Sequence, residues 1–478
     1  MNFVIFPTQL YYDIDIDQNY KIYLIEEPRY FTDLNFHKLK LAYHRATMKK
    51  YYEYLLSQDY NVKYIEFHLV NNKFYKDLKE ITLYDPYDTI LLEKLEKIKI
   101  NLLDNKQFLL TNSDLYEIQT KLFPTKKYRH DIFYKYMRTK YDILIHNNKP
   151  VGGKWSYDTE NRIKLPKDII IPKLPSVKQD TIIEEAVQYI ENKFKTNYGQ
   201  TDNFIYPIDH KTSIEWLNNF LNKRLKEFGK YEDAVSTEYD FVFHSVLSPM
   251  MNIGLLRDIE VVNISCKYYE KNKSKIPIQS FEGFIRQIIG WRQYTYLLYI
   301  IEGNKMRNSN LLGHKNKLSD KWWDTVNIEP IDFLIDKIKR TAYVHHIERL
   351  MFLSNWLLLN QIDPNDVYKI FMEWTIDAYD WVMVPNVYGM GQSASNIMMT
   401  RIYFSSSNYI LKMSNFKKGP WIEIWNSLYY MFIEKHRRLL LSNYATVMQV
   451  KHYDKKTEKE IEEMSTITKK YIKSIKSM

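Results

Sequence analysis

Five segments carry residue types that could do chemistry together. Asp377 to Met390 (Asp-Ala-Tyr-Asp-Trp-Val-Met-Val-Pro-Asn-Val-Tyr-Gly-Met) starts with a helical pattern that Pro385 and Gly389 then break. Such a break sets the carboxylates of Asp377 and Asp380, the amide of Asn386 and the ring of Trp381 near free backbone donors, which suits a polar heterocycle held by several fixed hydrogen bonds. An ordinary helix C-terminus with core aromatics has the same pattern, and spacing alone favours that reading. Tyr343 to Met351 holds His345, His346 and Arg349. On a helix Arg349 shares a face with either histidine, but adjacent histidines point about 100° apart, so one ligand does not easily use both. No HExxH spacing or thiolate pair accompanies them, so no metal is expected, and one packed and one exposed histidine is the simpler reading.

The remaining three segments look like surfaces for anions. Ser245 and Ser248, in Phe243 to Gly254, precede a helix start and could cradle a phosphate, although a plain N-cap is the favoured reading of the motif standing alone. Arg286, Trp291 and Arg292, in Phe281 to Tyr294, offer stacking and positive charge, although in isolation an amphipathic helix with snorkelling arginines is the better reading. Arg401 to Met413, followed by Lys417-Lys418-Gly419, interleaves basic, aromatic and hydroxyl residues, including Arg401 and Lys412. That composition suits a nucleic-acid edge or a polar loop.

These segments need a large scaffold. The chain has 478 residues and 58.0 kDa, which predicts two large domains or about three ordinary ones. Hydrophobic residues make up 45%, enough for sizeable cores. Lys and Arg number 68 against 58 Asp and Glu, and the net charge of +10 favours a polyanion or an anionic cofactor as partner. One cysteine, Cys266, excludes an internal disulfide framework, a cysteine-held iron–sulfur cluster and a Cys-rich zinc site. A reducing compartment is expected: cytoplasm, nucleus or, for a viral chain, the viral factory. The 41 tyrosines against 12 glycines read as the bias of an AT-rich genome rather than as function. No apolar run is long enough to span a membrane, and the first residues read as a strand rather than a secretory signal.

Residues 1–126 alternate apolar runs with helical patterns, predicting a Rossmann-like α/β domain with a parallel sheet. Strands are expected at Phe3–Phe6, Lys21–Ile25, Val62–Leu69, Ile81–Tyr84 and Phe108–Thr111, and helices at His37–Leu56 and Thr89–Ile98. No GxGxxG follows the first strand, so a dinucleotide fingerprint is missing. Residues 127–180, with Gly152-Gly153 and prolines 166, 172 and 175, read as an interdomain linker with a helix at Tyr128–Tyr141. Residues 181–478 are patterned as one all-helical domain, with helices at Thr181–Phe194, Ser213–Phe228, Phe281–Ile301, Ile331–Leu359 and Pro364–Trp374. The tail from Lys451 reads as a solvated surface helix.

Taken together, the five segments and the Gly-Gly-Lys-Trp of 152–155 resemble the photolyase–cryptochrome superfamily, in particular its branch of iron–sulfur bacterial cryptochromes and (6-4) photolyases. The resemblance runs from Pro7-Thr8-Gln9-Leu10 to Lys412-Met413-Ser414, in the family's order. It implies an antenna-type α/β domain and a helical domain binding FAD in a U shape. Ser245 and Ser248 would hold the FAD phosphates and Arg349 would pair with Asp377 beside the flavin ring, with Asp380 and Asn386 as further contacts. His346, beside His345, stands where (6-4) photolyases have a proton-donating histidine. Trp381 matches the proximal tryptophan of an electron relay, with Trp322, or Trp323 in its place, as the outer member. The implied partner is UV-damaged DNA, bound by a monomer through Arg286, Trp291, Arg292, Arg401, Lys412 and Lys417.

The departures carry information too. The branch's four cluster cysteines are missing, Pro330 standing where the first would be, so no iron–sulfur cluster is expected. Val246 replaces an arginine between the two serines, and Gln293 replaces a glutamate. Thr8 stands where the branch has an aspartate, which leaves a ribityllumazine-type antenna open. The implied activity is light-driven electron transfer from reduced FAD to a flipped-out lesion, the (6-4) photoproduct first. A cyclobutane-dimer photolyase and a non-repairing blue-light receptor are the alternatives.

Overall fold

Phe3, Val4 and Ile5 are fully buried, as a strand covered by helices on both faces requires. They belong to β1 (Asn2–Ile5), the middle of a five-stranded parallel sheet with β2 (Lys21–Ile25), β3 (Asn61–Ile65), β4 (Glu80–Tyr84) and β5 (Lys99–Leu103), in the order β3-β2-β1-β4-β5. The computed structural model describes residues 1–477. The expected fifth strand at Phe108–Thr111 does not form. The strand is Lys99–Leu103, a half-exposed edge whose apolar residues Ile100, Leu102 and Leu103 do not alternate regularly. Phe108 instead stacks on Tyr296 at 3.8 Å, and the Leu109 N–H donates to Gln293 Oε1 at 2.9 Å, so this apolar run serves the junction with the helical region.

The Lys38–Ser57 helix lies across that junction and packs on the Thr181–Lys193 helix. Arg45 binds Glu26 at 2.9 Å, Glu66 at 3.1 Å and Glu185 at 2.6 Å, with its guanidinium over Tyr189. Residues 161–180 hold neither helix nor strand. Ile171 is nevertheless buried with Tyr231, Ala234, Val242 and Phe243, so this connector lies against the helical region.

Beyond residue 180 the described structure is helical apart from an isolated bridge. Two helices expected to be continuous are broken. Ser213–Phe228 divides at Arg224 into His210–Lys223 and Leu225–Tyr231. Ile331–Leu359 stops at Ala342, whose φ of 51° is left-handed. Its N–H caps Ile338 O at 2.7 Å while its carbonyl accepts from the Ile376 N–H at 2.9 Å, so a tertiary contact holds the break without a glycine. The tail helix, Glu458–Ser477, is not simply solvated. Tyr471 accepts from Trp356 Nε1 at 3.1 Å and donates to Val326 O at 3.0 Å.

Candidate functional site

Three stretches of widened, π-type helix converge on one cavity: Arg286–Arg292, Glu348–Ser354 and Pro385–Gly391. Such turns concentrate at functional sites because they displace side chains from regular register and free backbone groups. The cavity measures about 430 Å³, the size of a pocket for a large organic ligand. Ser245 and Ser248 lie on its wall. Between them Val246 has a φ of 54°, a strained conformation for a β-branched residue. Gly391 closes the Pro385–Gly391 turn onto Ser354, where any Cβ would collide with the serine side chain.

The polar groups of this wall are coupled. Arg349 donates from one guanidinium nitrogen to Asp377 Oδ1 at 2.6 Å and from Nε to Val344 O at 2.7 Å. Ser248 Oγ donates to the other oxygen of Asp377 at 2.6 Å. The Asp377 carbonyl accepts from Asn252 Nδ2 at 2.7 Å. Asn386 also lines the cavity and donates to Val382 O at 2.8 Å. Trp381 presents its ring to the cavity, with the Arg292 guanidinium 4.7 Å from its centroid and a buried, unpartnered Nε1.

His346 is exposed to the cavity, while His345 and His244 are buried beside it. Desolvation works to lower the His346 pKa, but a hydrogen bond to Asp233 and the charges of Asp233 and Glu232 outweigh it and raise it above the ordinary imidazole value. Burial holds His345 well below that value and pushes His244 down to about 3, so these two stay neutral. One of the three adjacent imidazoles is therefore set apart as the one that takes up a proton most readily.

Several expected site residues lie elsewhere or are already engaged. Asp380 does not line the cavity. It accepts from Arg307 at 2.6 Å and Tyr299 at 2.6 Å, with Arg29 at 3.6 Å and Tyr368 also in contact. Tyr379 is extended between Ala378 and Asp380, which turns the second carboxylate away from the first. Arg286 and Arg292 do not form a free basic rim. Arg286 is bound by Asp158 at 2.8 Å, Glu282 at 3.2 Å and Glu232 at 3.5 Å, and Arg292 by Asp258 at 2.8 Å. Buried carboxylates need such counter-charges, and these arginines supply them. Trp291 lines the cavity and stacks on His130 at 3.8 Å. Trp322 is buried against Trp356 at 5.0 Å and donates to Ile475 O at 2.7 Å, away from the cavity. Half-buried Trp323 meets Trp374 at 4.8 Å, on the helix that also carries the cavity residue Phe371. Arg401, Lys412 and Lys417 are exposed, and Arg401 lies over the ring of Tyr403, another wall residue.

Sequence reading passed over His244, Glu232, Asp233, Asn252, Asp158 and Tyr343. His244 sits next to Ser245 in a segment read only for its hydroxyls, while Glu232 and Asp233 carry no local signal. At the other end of the chain, Gln9 is consumed by the fold, bonding the Phe6 N–H at 3.1 Å and Tyr84 O at 2.7 Å. The cavity fits a flavin dinucleotide on chemical grounds. Its wall is largely apolar, it carries a guanidinium–carboxylate pair for a polar ring, and it offers serine hydroxyls for an anionic tail. No helix among the described residues is long and apolar enough to cross a membrane.

Known proteins share this architecture. A family described as deoxyribodipyrimidine photo-lyase-related protein matches residues 3–206. A (6-4) photolyase of Agrobacterium fabrum is 30% identical over 437 residues, 85% of this chain and 85% of its own. A bacterial class III photolyase from Agrobacterium tumefaciens superposes with a TM-score of 0.59 at 14% identity, covering 100% of this chain and 98% of that one. A cryptochrome from Synechocystis superposes with a TM-score of 0.57 at 13% identity, covering 97% of this chain and 98% of that one. The sheet, the helical region and this relationship along most of the chain lead to one assignment: the protein belongs to the photolyase/cryptochrome superfamily, among the photolyase-related proteins.

Proposed function

We propose that this protein is a DNA photolyase that binds FAD in the cavity and repairs a UV pyrimidine lesion flipped out of DNA, with the (6-4) photoproduct as preferred substrate. The observation that carries this reading is one cavity holding both the Arg349–Asp377 pair, at 2.6 Å, and an imidazole kept protonatable by Asp233. When bound and reduced, FAD supplies the photoexcited electron. Arg349 contributes fixed positive charge in a partly dry site, and Asp377 and Val344 O hold it in place. Ser245 and Ser248 bind the cofactor's phosphates, Ser248 by turning its hydroxyl proton from Asp377 to the phosphate. His346 donates the proton that oxygen transfer in a (6-4) product requires, and Asp233 holds that proton on the ring to a higher pH than an ordinary imidazole keeps it. Trp381 passes electrons inward from Trp322 or from the Trp323–Trp374 pair. Arg401, Lys412 and Lys417 bind DNA phosphates, and the lesion's poor stacking lowers the cost of flipping it.

One observation favours a second reading, a photoreceptor without repair. Arg286 and Arg292 are consumed by internal carboxylates, which leaves fewer cations for DNA. The test is illumination of the reduced protein with two oligonucleotides, one bearing a (6-4) photoproduct and one a cyclobutane dimer, each followed by chromatography. Light-dependent loss of the (6-4) lesion, abolished in His346→Asn with flavin retained, is expected. Loss of the cyclobutane dimer alone gives the other photolyase, and no repair by a photoreducible flavoprotein gives the receptor. A protein that takes up no flavin overturns both readings.

A further inference from the structure

Three large apolar side chains stand in water on one turn near the C-terminus: Leu441 is 39% exposed, Tyr444 97% and Met448 59%. The turn joins the Arg437–Leu441 helix to the Val447–Tyr453 helix, and its own hydrogen bonds fix its shape. Asn443 Oδ1 accepts from the Ala445 N–H at 3.1 Å, and Thr446 Oγ1 donates to Leu440 O at 2.6 Å. Leu440 and Val450 are fully buried beneath it, so the turn has its apolar anchors and still leaves these three residues outside. Scattered exposed apolar residues need no explanation, but three gathered on one tip mark a surface that meets a partner.

Position and charge say which partner. Asn443 Nδ2 donates to Thr400 O at 2.7 Å, so the turn is fastened to the residue before Arg401. Arg401 lies over the ring of Tyr403 on the cavity wall, which puts the tip beside the cavity's rim. The charge around the tip is positive. Arg438 and Lys451 are exposed, and among the described residues neither is bound to a carboxylate. Of the acids nearby in sequence, Asp454 pairs with Arg437 at 2.9 Å and Glu434 accepts from the Tyr453 hydroxyl. An aromatic and aliphatic tip flanked by free cations matches a polyanion with an apolar interior, which is what phosphates and stacked bases present. Its place at the rim favours a nucleic acid over a lipid surface.

We propose that Tyr444, flanked by Leu441 and Met448, is a wedge that enters lesion-bearing duplex DNA and fills the gap left when the damaged bases enter the cavity. The inference rests on the photolyase reading and adds to it the element that holds the duplex open. Arg401, Arg438 and Lys451 bind the phosphates on either side of the gap. Stacking on the tyrosine ring offsets the cost of unstacking the lesion's neighbours, a cost that a duplex carries and a single strand largely lacks.

The test is fluorescence anisotropy of the full-length protein with labelled duplexes bearing a (6-4) photoproduct or a cyclobutane dimer, the undamaged duplex, and the same lesions in single strands. Tyr444→Ser should weaken binding of the preferred lesion duplex by about tenfold, as loss of one aromatic–base stack does, and leave the undamaged duplex and the single strands unchanged. Its salt slope should stay that of the parent, because no charge is lost. Tyr444→Phe keeps the ring and should bind like the parent. Arg438→Gln should instead weaken every probe and reduce the salt slope by about one. Tyr444 is almost wholly exposed, so these substitutions leave the core intact. Unchanged lesion-duplex affinity in Tyr444→Ser, or equal loss on every probe, overturns the wedge alone. So does a Tyr444→Ser variant that keeps its DNA binding but loses self-association or binding to phosphatidylserine vesicles, which gives the tip to another partner. A parent protein that prefers neither lesion duplex to the undamaged one overturns the photolyase reading together with the wedge.

Discussion

Asp377 and Asp380 lie on one short segment of chain yet serve two different regions of the molecule. Asp377 faces the cavity, held by Arg349 and Ser248. Asp380 is sealed at the junction with the N-terminal sheet domain, between Arg307, Arg29, Tyr299 and Tyr368. Burial works to raise the Asp380 pKa, but the two guanidinium groups outweigh it and hold the carboxyl below its usual range. The extended residue Tyr379 makes the difference by reversing the side-chain direction between the two. The comparison teaches that one acid holds the fold together and the other is available for chemistry. Their sequence spacing does not say which.

The largest expected effect breaks the structural half of this comparison. Asp380→Asn leaves the Arg307 guanidinium without its carboxylate and takes a second counter-charge from Arg29, which keeps Asp88, and should cost about 3 kcal/mol in urea unfolding. Because the folded pKa is depressed, this stabilisation is present above an unfolded carboxyl pKa of about 3.9 and fades as pH falls through the folded value. The parent's stability advantage over the variant should therefore be full at neutral pH and shrink at strongly acid pH.

A smaller effect sharpens the chemical half. The His346 pKa is raised, so the protonated form, and repair that depends on it, persists below the folded pKa and declines as pH rises through it. Asp233→Asn removes the main raising partner and should move that declining limb to lower pH, read from the pH profile of (6-4) repair. His346 also contributes stability below its unfolded pKa, which is lost as pH rises through the folded one, so the same variant flattens that dependence. The smallest effect concerns the rim. Arg401→Ala should lower DNA affinity evenly across sequences and reduce the salt slope by about one.

Much of the frame could be read from the residues. The buried run of β1, the matched bounds of β2 and the Pro364–Trp374 helix follow from apolar periodicity and a helix-starting proline. What escaped reading has physical causes. A π-type turn adds a residue to a helix without altering its composition, so the widened stretches that shape the cavity resemble ordinary amphipathic helix. The left-handed turn at Ala342 uses a residue with high helix propensity, and a bond from Ile376 holds it there. Arg286 and Arg292 read as free cations because their carboxylate partners Asp158, Glu232 and Asp258 are remote in sequence. Arg349, Asp377 and their pairing were legible through resemblance, whereas the bond from Ser248 to the same carboxylate was not.

The measurement that tests the central claim most directly is FAD titration of the flavin-stripped protein, comparing Asp377→Asn with Asp380→Asn per folded molecule by fluorescence quenching. The account predicts that Asp377→Asn weakens binding by about tenfold or more, as loss of a charge-assisted hydrogen bond does, while Asp380→Asn binds like the parent. Unchanged affinity in Asp377→Asn, or equal loss in both variants, would contradict the assignment of this cavity as the flavin site.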